Sequence, residues 1–203
     1  MIVKVCGITS TEDAQAAITA GATAVGFNFY PKSPRYITAE KAAGIETPEG
    51  VLRVGVFVNE PSDTLRAIAR SATLDIVQLH GDEPPEALPC DLRVWKAFRV
   101  DARFTPTQLD SYPVEAFLLD GPAGKEYGGN GQPFAWAAAA GLHHRILIAG
   151  GLDASNVGLA IRAAHPWGVD ACSRLESAPG RKDNDKVRAF VRAALLGNNS
   201  NDA

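Results

Sequence analysis

Ile2-Val3-Lys4-Val5-Cys6-Gly7 is the stretch on which the fold turns. Its first five residues form a short apolar, β-branched run of strand type, and a helical pattern over Glu12–Ala20 follows. Only Gly7 follows the run, without the GxGxxG that opens a doubly wound dinucleotide-binding sheet. Similar runs recur at Ala24–Phe29, Val51–Val58, Leu74–His80, Leu92–Phe98, Glu115–Asp120, Arg145–Ala149 and Gly168–Cys172. Helical spacing returns over Ser62–Arg70, Phe134–Ala140, Ala154–Ala163 and Asp183–Leu196. Strands alternating with helices build a parallel sheet, and strand starts about 18 to 30 residues apart suit βα repeats. Eight such units predict an α/β fold, a small (β/α)8 TIM barrel in a single domain over 1–196, with a frayed polar tail over 197–203. Thr9 and Glu12 read as a capping box for the first helix, and Pro61 as a first helical residue.

Composition narrows the partners. The 203 residues are 46% hydrophobic and 21% charged, which is ordinary for a globular domain and argues against disorder. Twenty basic against 23 acidic residues leave a net charge of −3, so neither nucleic acid nor an anionic membrane is an expected partner. Cys6, Cys90 and Cys172 are odd in number and form no CxxC, which argues against a disulfide framework or a zinc site. No apolar run is long enough to span a bilayer, and the start lacks the character of a signal peptide. A cytoplasmic protein is therefore expected, and a monomer, since no long apolar surface pattern stands out.

Alternation places every second strand residue inside the barrel. Val3 and Val5 suit the helix-facing layer, which turns Ile2, Lys4 and Cys6 inward. The same phasing turns Gln78, His80, Lys96, Asp120 and Asp170 inward. Two lysines and two aspartates converging near one end would compensate one another, because an unpaired charge resists leaving water. A one-residue slip in any strand would reverse its set.

Cys6 ends its strand where barrel enzymes place chemistry, and an inward lysine beside it would favour the thiolate; the plain alternative is an inert buried thiol. Asp120 reads either as a turn residue or as a general acid facing a base at the barrel mouth. Ala149-Gly150-Gly151-Leu152 and Ser173-Arg174-Leu175-Glu176 follow strands seven and eight, whose loops commonly bind phosphate in these barrels. Arg35, in Ser33-Pro34-Arg35-Tyr36, is either a solvated charge or a clamp for a carboxylate. The glycine-rich segment from Gly121 to Gly131 reads as a mobile lid. His143, His144 and His165 read as surface residues, and no spacing of His, Asp or Glu resembles a metal site.

Taken in order, Lys4-Val5-Cys6-Gly7-Ile8, Ser33-Pro34-Arg35-Tyr36, Val54-Gly55-Val56-Phe57-Val58, Gln78-Leu79-His80-Gly81, Leu119-Asp120 with Gly128-Gly129-Asn130-Gly131, Ala149-Gly150-Gly151-Leu152, Gly168-Val169-Asp170 and Ser177-Ala178-Pro179-Gly180-Arg181-Lys182-Asp183 resemble the phosphoribosylanthranilate isomerase family of tryptophan biosynthesis. The resemblance spans nearly the whole chain and implies an Amadori rearrangement of a phosphosugar, with no cofactor and no metal. It implies Cys6 as general base and Asp120 as general acid. Arg35 and Asp170 would contact the anthranilate part, and Gly150, Gly151, Ser173 and Arg174 the phosphate. Two positions depart from the family pattern. Asn130 replaces a threonine, and Arg174 replaces a glycine beside the implied phosphate site, where it would be strained if φ were positive and could otherwise add a direct contact. An indole-glycerol-phosphate synthase would want a catalytic lysine–glutamate set and an amino-terminal extension. A ribulose-phosphate epimerase would want metal-binding His and Asp on its strands, where only His80 stands. A barrel that has lost its chemistry is opposed by the presence of Cys6 and Asp120, and a second aminoaldose substrate would favour a further phosphate loop on the opposite half.

Overall fold

A computed structural model of the chain describes residues 1–121 and 136–199. Eight parallel strands close on themselves in chain order: β1 (Ile2–Cys6), β2 (Ala24–Asn28), β3 (Leu52–Phe57), β4 (Ile76–Leu79), β5 (Val94–Arg99), β6 (Ala116–Asp120), β7 (Ile146–Ile148) and β8 (Gly168–Ala171). β8 pairs with β1 with Lys4 opposite Asp170 and Val5 opposite Ala171. All eight apolar runs contain a strand.

Two apolar layers follow from the alternation. Val3, Val5, Val25, Phe27, Leu79 and Leu119 point outward against the helices, while Ala24, Val54, Ile76, Trp95, Leu118 and Leu147 fill the barrel. The outer layer is completed by α1 (Thr11–Thr19), α2 (Ala39–Ala43), α3 (Ser62–Ser71), α4 (Val157–Ala164) and α5 (Asn184–Asn199). The remaining links carry 3-10 turns at Pro85–Ala87, Pro106–Ser111 and Trp136–Ala139, so the expected helix over 134–140 is, in its described part, a 3-10 turn. A hairpin of β9 (Glu176–Ala178) and β10 (Arg181–Lys182) is inserted between β8 and α5. The last helix runs to Asn199, past the boundary expected at 196, and residues 200–203 lie outside the described residues, as does most of the segment read as a lid.

Three local expectations shift by one residue. Ser10, not Thr9, caps α1 by accepting from the Asp13 N–H, while the Thr9 hydroxyl donates to the Gly180 carbonyl at 2.6 Å. Pro61 occupies the cap position and α3 begins at Ser62. In β5 the inward residues are Trp95 and Ala97, so Lys96 points outward. Its ammonium donates to the Gly81 carbonyl at 2.7 Å and to Glu83 at 2.8 Å, with the rings of Phe98 and Tyr112 close by. The barrel interior at that level is apolar and offers a lysine no carboxylate, whereas the loop after β4 does. His143 and His165 are exposed as expected, and His144 meets Asp110 at 2.9 Å. No helix among the described residues is long and apolar enough to cross a membrane.

Arg53, on the outer face of β3, ties the ends of two helices together. Its guanidinium donates to the carbonyls of Ala42 and Ile45 at the end of α2 and of Ala72 and Thr73 at the end of α3, and lies 4.9 Å from the Phe27 ring centre. Carbonyls at a helix C-terminus lack intrahelical donors and attract a cation. Truncation in Arg53→Ala strands several buried acceptors at once, and we expect urea unfolding to show a loss of at least about 2 kcal/mol.

Candidate active site

The carboxyl ends of the strands gather the polar side chains. Lys4 is wholly buried and its ammonium meets Asp170 Oδ2 at 3.0 Å, a pair set by the β1–β8 register. Cys6 lies one inward step further along β1, and Cys172 just beyond the end of β8. Both thiols are free. Lys182 reaches in from β10, donating to the Cys172 carbonyl at 3.2 Å and lying 3.8 Å from its sulfur. Asp120, at the end of β6, is buried, with Oδ2 at 3.7 Å from His80 Nε2. His80 Nδ1 in turn lies 3.5 Å from the Gln78 amide. Asp120 Oδ1 and Asp170 Oδ1 are buried without a hydrogen-bond partner among the described residues. Such orphaned oxygens on a site's wall are ready to receive a ligand's donors.

Electrostatics separates the two thiols. A hydrogen bond from Cys172 holds the Cys6 thiol well below its ordinary value; burial opposes this, and the Lys4 and Lys182 ammonium groups assist. Cys172 moves the other way, pushed up by that bond to Cys6 and by burial. Burial lifts the Asp170 carboxyl to about 7, against the pull of Lys4 and with a further push from the Cys6 charge. Burial acts to lower Lys4, but Asp170 and Cys6 outweigh it and hold the ammonium firmly charged. Cys6 is thus a buried thiol whose ionisation is favoured by Cys172 and by the nearby lysine ammonium groups, which is the environment of a base or a nucleophile.

The loops after β7 and β8 adjoin the same mouth. Gly150 and Gly151 have φ of 85° and 66°. A Cβ on Gly150 would stand 2.6 Å from Asp120 Oδ1 and 2.5 Å from the Gly121 nitrogen, so only glycine lets this loop approach the carboxylate. Ser173 opens a 3-10 turn, Ser173–Leu175. Arg174 has no positive φ, so it is not strained, and its guanidinium meets Asp153 at 3.1 Å, linking the two loops. Arg35 does not stand alone at the surface: its Nε and Nη2 both donate to Glu176 at 2.7 Å.

The expected residues Cys6, Asp120, Asp170, Gly150, Gly151, Ser173 and Arg174 therefore share one end of the barrel. Lys96 belongs instead to the pair with Glu83. A cavity of about 440 Å³ opens on the β4–β5 side and includes His80, Phe98 and Arg99 but neither Cys6 nor Asp120. Cys172, Glu176 and Lys182 were not singled out by sequence reasoning. The turn residues Pro179-Gly180 were the available sign that a hairpin brings the latter two back to the mouth. Among the described residues no three His, Cys, Asp or Glu side chains are grouped so as to hold a metal ion.

The family described as N-(5'phosphoribosyl)anthranilate (PRA) isomerase matches residues 3–193 of the chain. The chain is 61% identical over 194 residues to the N-(5'-phosphoribosyl)anthranilate isomerase of Solibacter usitatus, covering 96% of this chain and 97% of the relative. The phosphoribosyl anthranilate isomerase structure from Thermotoga maritima superposes with a TM-score of 0.89 at 40% identity, covering 97% of this chain and all of that one. A second such isomerase, solved in complex with reduced 1-(o-carboxyphenylamino)-1-deoxyribulose 5-phosphate, gives a TM-score of 0.85 at 38% identity, with 97% and 100% covered.

The thiol pair can be tested directly. Cys172→Ala removes the donor to Cys6, so the thiolate absorbance near 240 nm at neutral pH should fall and its titration midpoint should move to higher pH. An unchanged midpoint would leave the Lys4 and Lys182 ammonium groups as the cause.

Proposed function

The chain belongs to the phosphoribosylanthranilate isomerase family, and we propose that its barrel mouth rearranges N-(5'-phosphoribosyl)anthranilate to the aminoketose with Cys6 as base and Asp120 as acid. It is an intramolecular isomerase of tryptophan biosynthesis. The observation that carries the assignment of roles is the pairing, at one mouth, of a thiol held as thiolate with a buried carboxyl whose Oδ1 meets no described donor.

The chemistry fits those groups. Asp120 donates a proton to the furanose ring oxygen, the C1'–O bond breaks, and the nitrogen lone pair forms the iminium. The Cys6 thiolate then removes the C2' proton. The C–H electron pair becomes the C1'=C2' bond and neutralises the iminium, giving an enolamine. Transfer of a proton from the Cys6 thiol to C1' and loss of the C2' hydroxyl proton to the Asp120 carboxylate leave the ketone at C2' and restore both groups. Each transfer is general acid–base catalysis, and a thiolate kept charged near neutral pH serves as base without prior activation.

Arg35 holds the anthranilate carboxylate through a guanidinium fork. Asp170, its Oδ1 without a described partner, accepts from the anthranilate nitrogen. Gly150, Gly151 and Ser173 present backbone donors to the phosphate. Arg174 adds a charge where a glycine would offer only its N–H, and its negative φ supports that side of the alternative. The reading includes a cytoplasmic setting, where three unpaired cysteines stay reduced. It also includes a monomer: only Tyr36, Leu159, Leu195 and Leu196 are exposed large hydrophobics among the described residues.

Turnover of substrate generated in situ, followed by loss of anthranilate-type fluorescence, tests the roles. Cys6→Ala and Asp120→Asn should each lower kcat by about 10³-fold while the reduced product analogue still binds. Near-normal kcat in Asp120→Asn would assign the proton donor elsewhere. Arg174→Gly should raise KM by about 10-fold and leave kcat nearly unchanged, because a phosphate contact is the same in ground and transition states.

A further inference from the structure

We infer that Glu176, on the hairpin inserted after β8, is a positioning residue for carboxylate recognition: it grips the Nε–Nη2 edge of the Arg35 guanidinium and leaves the Nη1–Nη2 edge to the substrate. The inference rests on the reading of Arg35 given above.

A guanidinium offers five N–H donors along two usable edges. Glu176 takes the Nε–Nη2 edge in a two-point contact, each bond 2.7 Å. Among the described residues nothing engages Nη1, so the Nη1–Nη2 edge is open to a second carboxylate. Glu176 is itself fixed. Its side chain is 5% exposed, its Oε1 accepts from the Lys182 ammonium at 3.2 Å, and the Gly180 N–H lies 3.4 Å away. A carboxylate anchored from three directions does not swing away when substrate arrives, so Glu176 acts as a mount for Arg35 rather than as a competitor for it.

Charge and sterics agree. Arg35, Glu176 and Lys182 together carry a net charge of one positive unit, so a substrate carboxylate meets attraction even with Glu176 present. The Arg35 stem crosses Gly7, where an added Cβ would stand 2.8 Å from Arg35 Cδ, and Gly7 is the neighbour of Cys6. The guanidinium is thereby held at a fixed offset from the base.

The test uses the full chain and two probes: the reduced product analogue, and its phenylamino counterpart lacking the carboxyl group. Calorimetric Kd values for both give the carboxylate preference. The wild type should favour the carboxylate probe by about 10–100-fold. Arg35→Ala should abolish that preference, and if it did not, the reading of Arg35 would fall and the inference with it. With that reading intact, Glu176→Gln should lose most of the preference although Arg35 is present. The double variant should lose little more than either single one, and KM should rise much further than kcat falls. A Glu176→Gln protein that keeps the full preference would overturn the inference alone. Glu176→Asp keeps the charge beside Lys182 but is too short for the two-point grip, so it covers the case in which the glutamine variant fails to fold. It should lose the preference as well, and full retention would likewise overturn the inference.

Discussion

A lysine ammonium buried inside a protein is tolerable only with a partner, and the contact between Lys4 and Asp170 is the one on which the mouth of this barrel depends. The pair lies where the register between the first and last strands sets Lys4 opposite Asp170. It also sets the electrostatics around it: Asp170 helps to keep the Lys4 ammonium charged, and that ammonium helps to lower the Cys6 thiol. Taking the lysine away would remove the cation that favours the charged forms of both Asp170 and Cys6. Site and seam are therefore one arrangement seen from two directions.

The same economy recurs around the rim. Each cation is tied to an acid that does not saturate it: Lys4 to Asp170, Arg35 and Lys182 to Glu176, Arg174 to Asp153. Each acid in turn is anchored by more than one group or buried against the wall. The outcome is a mouth whose charges nearly balance without substrate, so that it stays folded, yet which keeps donor edges and orphaned oxygens directed at the space above the strands. Preorganisation of that kind reduces what ordering the site would otherwise cost on binding.

Much of this was legible in the residues. The eight strands stand out because a parallel barrel strand is buried on both faces and reads as a short apolar run. Cys6, Asp120 and the glycine pair at 150–151 were identifiable from their places at strand ends. Lys96 was not: alternation gives a period but no absolute phase, and Trp95, the bulkier neighbour, claimed the interior. The links carrying 3-10 turns escaped because a turn of three to six residues leaves no periodic signature. Glu176 and Lys182 escaped for a different reason. The contact of Glu176 with Arg35 joins residues far apart in the chain, Lys182 enters through Glu176, and nothing local in Ser33-Pro34-Arg35-Tyr36 announces an acidic partner on a distant hairpin. The shifts at Cys6 and Cys172 belong to the same class, since they arise from a contact between the first strand and the residue after the last.

Barrel closure has a temporal consequence. β1 pairs on one side with β2, which follows after a single helix, and on the other with β8, so that Lys4 waits for a carboxylate 166 positions further along. At roughly 5–20 residues per second of ribosomal synthesis, that interval is on the order of 10–30 s. Throughout it the nascent chain holds a lysine on an otherwise apolar strand, a feature that disfavours burial of β1 in any incomplete sheet and so discourages premature, edge-exposed barrels. The charge that serves the finished site thus also keeps its first strand waiting for the last.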